Sequence, residues 1–243
     1  MKASKVKLPM GFSVQEAHQL QWKLAKKVIR KNVLPKEIQQ IAGVDAAYVD
    51  GLSVGAVAVL DFKSLQLRES ETAVCKTQFP YIPTLLSFRE TPPVICAIKK
   101  LKLSPDVFLV DGHGIMHPYR LGLASHLGLK IARPTIGIAK TPLFGKPQTI
   151  TKQGWAPITD KNDIIGATVV TKKGSNPVYV STGHMVSLET AIAIVKYCCV
   201  KSRIPEPILQ AHIIATEEKS KIKRLSKEDR LGDHLGHAST QAS

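Results

Sequence analysis

Val107-Phe108-Leu109-Val110 runs straight into Asp111-Gly112-His113-Gly114. A short apolar run bounded by Pro105 and Gly112 reads as a strand buried on both faces, as in a parallel or mixed sheet. Ligands of open α/β sheets bind at the carboxyl ends of such strands. Asp111 therefore stands where a sheet presents chemistry, although an acid before a glycine can also simply cap a turn. This stretch reads as a central, buried strand of a parallel or mixed sheet, and it marks the end of that strand as the place to look for a site.

The preceding segment supplies the neighbours. Ile41–Val49 and Leu52–Leu60 are strand-like runs joined by Asp50-Gly51, the dipeptide that most favours a tight hairpin. A third strand follows around Leu65–Val74. Such short connections make the three antiparallel. Asp45 interrupts the first strand with a charge, which costs several kcal/mol unless it is paired or metal-bound (roughly 3–5 kcal/mol for an uncompensated one). The fourth strand, ending in Asp111, fits parallel beside the first, which would put Asp45 and Asp111 on adjacent strands. Two carboxylates that close repel. A hard divalent cation with oxygen ligands relieves the repulsion, and Mg²⁺, which takes one or two carboxylates and keeps several waters, is the natural choice.

The remaining chain supports one larger α/β unit. Ser13-Val14-Gln15-Glu16 fits a capping box, and Ala17, Leu20, Leu24 and Val28 recur at helical spacing up to Asn32 and Pro35. Pro80 and Pro83 hold an extended segment around Tyr81. A helix is expected from Thr91 as N-cap and Pro92 at its first position, with Val94, Ile95, Ile98 and Leu101 inward. A helix through Leu121, Ala124 and Leu127, a buried strand over Pro134–Lys140, a strand pair at Ile165–Thr171 and Val178–Thr182, and helices at Ser187–Val200 and Pro207–Thr216 complete the pattern. After Glu217 the apolar periodicity fades. Residues 1–216 are expected to form a single catalytic domain, and residues 217–243 a polar, mobile tail.

Charge narrows the partners. The chain carries 34 Lys and Arg against 19 Asp and Glu, a net charge of +15. Residues 1–40 and 101–216 each contribute +7, so the excess lies on the body and not on a detachable tail. Such a field favours a polyanion, with nucleic acid first. No apolar run approaches a membrane span and no secretory signal is visible. The four cysteines have no zinc or disulfide-framework spacing, which suits a reducing, cytoplasmic setting. A phosphate-binding protein built on the Asp111-Gly112-His113-Gly114 turn lacks the Walker-type glycine-lysine run.

Several blocks closely resemble the endonuclease V family: Ile41-Ala42-Gly43-Val44-Asp45; Pro80-Tyr81-Ile82-Pro83 through Ser87-Phe88-Arg89-Glu90; Val110-Asp111-Gly112-His113-Gly114 with His117-Pro118; Pro134-Thr135-Ile136-Gly137 with Ala139-Lys140; Thr182-Gly183-His184; and Arg203 to Pro207. The resemblance covers Ser13 to Thr216. It implies a ribonuclease H-like fold: a mixed sheet, three antiparallel strands followed by parallel ones, flanked by helices. It also implies a Mg²⁺-dependent endonuclease, with Mn²⁺ able to substitute. Such an enzyme nicks the second phosphodiester bond 3′ to deaminated adenine (deoxyinosine), leaving 3′-hydroxyl and 5′-phosphate ends. By the same resemblance Asp45, Glu90 and Asp111 are the acidic metal-site residues and Tyr81 the aromatic wedge. Lys140 lies near the scissile phosphate, His117 and His212 line the site, and Leu86, Gly112 and Gly137 form the base pocket. The expected partner is DNA containing deoxyinosine, bound by a monomer. Inosine-specific cleavage of RNA, or a binding module without catalysis on the same fold, are the alternatives. Thr84 departs from the glycine usual at its position, and a β-branched residue disfavours positive φ there.

Overall fold

Asp50 and Gly51 both adopt positive φ, 47° and 77°. These are the angles of a two-residue hairpin whose twist matches its strands. The computed structural model describes residues 13–151 and 153–238, with side chains as far as 226; the basic stretch through Pro9 and the last five residues of the chain lie outside the described residues. The hairpin joins β1 (Gln40–Val49) to β2 (Leu52–Asp61), and β3 (Leu67–Lys76) pairs antiparallel with β2. β4 (Val107–Asp111) then lies parallel to β1, Val44 opposite Val110, as the strand order requires.

The sheet continues through β5 (Thr135–Ala139), parallel to β4. β6 (Lys146–Pro147), β7 (Trp155–Asp160), β8 (Asp163–Val169) and β9 (Val178–His184) complete it, in the order β3-β2-β1-β4-β5-β9-β8-β7-β6. The first five strands are the three antiparallel and two parallel strands of the expected mixed sheet. The expected pair at 165–171 and 178–182 is β8 and β9. Sequence reading did not find β7, in which Pro157 interrupts the run and only Ala156 and Ile158 are buried.

Helices cover both faces. α2 (Leu86–Ile98) and α3 (Leu123–Ile131) close over Ala42, Val44, Phe108 and Val110. α4 (Leu188–Cys198) and α5 (Glu206–Ala238) close over Ile41, Leu109, Ile136 and Ile138. α1 (Val14–Ala25), opened by the Ser13 side chain accepting from Glu16 N–H, packs through Ala17 on Phe79 and Leu85.

Three helix expectations are corrected. α1 stops at Ala25, not near Asn32, and its buried stripe is Ala17 and Gln21, while Leu20 is 43% exposed. The Lys26-Lys27 pair leaves it by a tight turn. α2 begins five residues before Thr91, so Pro92 and Pro93 lie inside it. The proline pair is seated where the helix crosses β2 at Gly55; a Cβ there would stand 2.2 Å from the Pro93 carbonyl. α5 runs past Thr216 to Ala238. Its outer half lacks an apolar stripe but is built of good helix formers with local pairs such as Glu218–Lys221, 3.5 Å.

Candidate active site

The register of β1 and β4 sets the site. Val44 faces Val110 across the parallel pair, so Asp45 and Asp111 follow side by side at the point where β4 ends and β1 continues. Adjacent strands are about 4.8 Å apart. Side chains alternate along a strand. Gly43 and Leu109 face the α5 layer, and Asp45 and Asp111, two residues on, share that face.

Gly43 lets the helix come close. A Cβ there would lie 1.9 Å from the Pro207 carbonyl oxygen, so only glycine permits the first turn of α5 to rest on β1. That contact carries His212 over the strand, where its Nδ1 is 2.7 Å from Asp45 Oδ2. Asp45 also accepts the Ala46 N–H at 2.8 Å on its other oxygen. On the neighbouring strand Lys140, one residue beyond β5, places Nζ 2.8 Å from Asp111 Oδ2.

Glu90 arrives from the opposite layer. It sits on the second turn of α2 and lines a small cleft with Asp45, Asp111, Val44 and Leu123. Tyr48 Oη donates to Glu90 Oε1 at 3.4 Å, and Arg89 lies over the Tyr48 ring, 4.1 Å from its centroid. Burial, followed by the Asp45 charge, pushes the Glu90 carboxyl up to about 8; Asp111 adds to the rise. Burial also raises Asp45, against the hydrogen bond from His212. So the two carboxylates pushed upward, Asp45 and Glu90, stand together at this cleft, and each also feels another acid's charge. As the side chains stand, no three His, Cys, Asp or Glu among the described residues form a ready metal cage.

A second constellation surrounds Tyr81. That ring is 65% exposed between Pro80 and Pro83, so it is not a core aromatic. Thr84, just after it, has φ 70° and is the one β-branched residue at positive φ among the described residues. The left-handed conformation costs an L-residue roughly 1–2 kcal/mol. Three groups hold it. The Gln21 amide donates to the Thr84 carbonyl at 2.8 Å and to Leu121 O at 3.1 Å. The His18 ring Nε2 meets the Thr84 hydroxyl at 2.9 Å. The His117 ring bonds the Thr84 backbone while its Nδ1 accepts from Tyr119 N–H at 3.2 Å.

The expected site residues thus fall into two groups. Asp45, Glu90, Asp111, Lys140 and His212 come together at the sheet end. His117 is 3% exposed, is pulled down to about 4 by burial, and serves the Thr84 loop instead of touching the acids. Leu86 opens α2 beside that loop. Gly112 and Gly137 pack together: a Cβ on Gly137 would stand 2.6 Å from Gly112 O and 2.5 Å from Gly114 N. Tyr48, Arg89, His18 and Gln21 were not found by sequence reading. Gln21 carried one available signal, a polar residue four positions from Ala17 on a helix.

The endonuclease V family profile matches residues 22–213, nearly all of the described body. The chain belongs to the endonuclease V family. The endonuclease V of Trichormus variabilis is 45% identical over 212 residues, covering 86% of this chain and 96% of the relative. That of Thermofilum pendens is 40% identical over 211 residues, covering 86% and 90%. Among solved structures, the endonuclease V of Streptomyces avermitilis superposes with a TM-score of 0.81 at 36% identity, over 90% of this chain and all of the other. Endonuclease V of Ciona intestinalis, crystallised with a 24mer DNA containing an inosine followed by a ribo-adenosine, superposes with a TM-score of 0.77 at 33% identity, over 86% and 98%. No helix among the described residues is long and apolar enough to cross a membrane.

Proposed function

We propose that this endonuclease V family protein is a metal-dependent hydrolase that nicks DNA at the second phosphodiester bond 3′ to deoxyinosine, leaving 3′-hydroxyl and 5′-phosphate ends. It would thereby start the repair of deaminated adenine. The observation that carries the reading is the placement of Asp45 beside Asp111 at the end of adjacent parallel strands, with half-buried Glu90 lining the same cleft. The inosine-containing DNA bound by the Ciona relative supports the substrate.

The donor set fits a hard divalent cation. The ligands on offer are carboxylate oxygens, and Glu90, raised first by burial and then by the Asp45 charge, would gain from a cation between them. Asp45 and Asp111 would hold Mg²⁺, or Mn²⁺ in its place, with Glu90 as third carboxylate. Such an ion supplies an activated water and a stabilised leaving oxygen. Lys140, already at the mouth of this site, is a cation for the non-bridging oxygens of the scissile phosphate. His212 orients Asp45 through Nδ1 and leaves its other ring nitrogen for a proton at the cut bond. Tyr81, exposed and flanked by two prolines, can enter a duplex where an extruded base has left. Extrusion costs a few kcal/mol, least for a poorly paired base, which favours inosine. The backbone around Gly112 and Gly137, with Leu86, would receive that base.

Four free cysteines support a reducing compartment such as the cytoplasm, and the site as built needs only one chain. One observation favours a second reading. The Ciona complex places a ribonucleotide directly after the inosine, so inosine-containing RNA is the alternative substrate. End-labelled DNA and RNA of matched sequence, each with one inosine, test both. The proposal expects DNA to be cut one nucleotide beyond the lesion's own 3′ bond. Cleavage confined to RNA would establish the alternative, and binding without cleavage would reduce the protein to a recognition module.

A further inference from the structure

Thr84 adopts a backbone conformation that suits glycine, yet it carries a side chain, and that side chain is engaged. The partner is fixed in turn. The His18 ring stacks on Tyr119 with centroids 4.0 Å apart and planes 14° from parallel. Tyr119 N–H is held by His117 Nδ1. Gln21, fully buried one turn along α1, ties the Thr84 carbonyl to Leu121. Leu121 and Tyr119 belong to the loop that follows Asp111, where Gly122 lies directly against His113 O. The Tyr81 loop and the loop after the acidic strand therefore share one set of partners.

We propose that Thr84 is a positioning residue, whose hydroxyl, held by His18, locks the Pro80–Pro83 loop onto α1 and so sets Tyr81 for duplex entry. The inference rests on the reading of Tyr81 as the wedge. In its absence the loop keeps its backbone bonds from Gln21 and His117 but loses the bond that fixes its tilt. An exposed aromatic that must enter a base stack gains from a loop that needs no ordering on binding. A substrate whose inosine is already unstacked needs no wedge, so the lock matters on duplex and little on single strands.

The test uses full-length wild type, Thr84→Val, Thr84→Gly, Thr84→Ser and His18→Ala. Each is assayed under single-turnover conditions on an inosine duplex and on the same inosine strand alone. A 2-aminopurine beside the inosine reports unstacking. A lost hydrogen bond is worth about three- to tenfold, so Thr84→Val, Thr84→Gly and His18→Ala should each lose that factor in duplex rate relative to single-strand rate. Their 2-aminopurine signal should fall in parallel. Thr84→Ser, which keeps the hydroxyl, should restore both. Thr84→Gly is decisive, because it relieves the backbone while removing the bond. A Thr84→Gly or His18→Ala enzyme with the wild-type duplex-to-single-strand ratio would overturn the inference, as would equal losses on both substrates. Wild type that cuts neither substrate would instead overturn the functional reading on which the inference rests.

Discussion

His212 on α5 and Asp45 on β1, 167 residues apart in sequence, meet at 2.7 Å through Nδ1 and Oδ2. Burial pushes the Asp45 carboxyl up, and this bond is the largest influence holding it down. Removing the imidazole leaves a desolvated carboxylate with one backbone donor. His212→Ala should therefore raise the pH at which activity appears, and should cut activity at neutral pH by at least about 10- to 100-fold, the range for losing a group that orients a metal-binding carboxylate. Pre-steady-state nicking from pH 5 to 9 reads both effects. An unchanged acid limb would separate His212 from Asp45 function.

The contact depends on Gly43. A Cβ at that position would lie 1.9 Å from Pro207 O and 2.6 Å from Ile208 N. Both are backbone atoms, so the helix itself must lift. Gly43→Ala should destabilise the fold by about 1–3 kcal/mol, as overpacking does, and should lose activity along with the His212 contact. Denaturant unfolding measures the first and nicking the second. Wild-type stability in this variant would mean that α5 does not rest on β1.

Stability should depend on pH in two opposed ways when chelator removes divalent cations. Glu90 has a folded pKa of about 8 against 4.5 for the free group, so between those values the folded state binds the extra proton. Its contribution therefore falls as pH rises through that window. His113, His117 and His126 are held at about 4 by burial, against 6.5. There the unfolded state binds more protons, and stability rises with pH up to 6.5. From pH 6.5 to 8 only the Glu90 effect remains, and stability should decline. Glu90→Gln should flatten that decline, and a divalent cation should reverse it. Thermal unfolding across this range, with and without Mg²⁺, makes the comparison. A rise in stability above pH 6.5 without cation would contradict the placement of Glu90 among the acids.

Tyr81→Ala should leave thermal stability unchanged, because the ring is exposed. Duplex nicking should fall by about one to two orders of magnitude, the worth of one base stacked on an aromatic ring. A melting curve and a duplex nicking rate suffice. A large drop in melting temperature would show that the ring serves the fold.

The sheet around the site was legible because its signals are local. Asp50-Gly51 specifies its own turn, and Val107–Val110, four residues bounded by Pro105 and Gly112, is too short for a helix and reads as a buried strand. Asp45 was conspicuous as a charge among apolar neighbours, and a parallel fourth strand put Asp111 beside it. What was not legible depends on distant packing. Pro92 reads as a helix start, because proline is costly inside one; Gly55 on another strand makes room for the pair. Leu20 fits the apolar stripe of α1 as well as Gln21 does not, yet the helix turns Gln21 inward to serve Thr84 and Leu121. The expected obstacle at Thr84 was a positive φ. The chain adopts it, and partners from α1 and the loop after β4 hold it there.

The proposed activity depends on Asp45 and Asp111 together binding one divalent cation. Calorimetric titration of Mn²⁺ into wild type, Asp45→Asn and Asp111→Asn measures that binding without any nucleic acid. Wild type should bind saturably, and each variant at least about tenfold more weakly, since each removes one of very few charged ligands. Equal binding by all three proteins would contradict a site shared by the two acids.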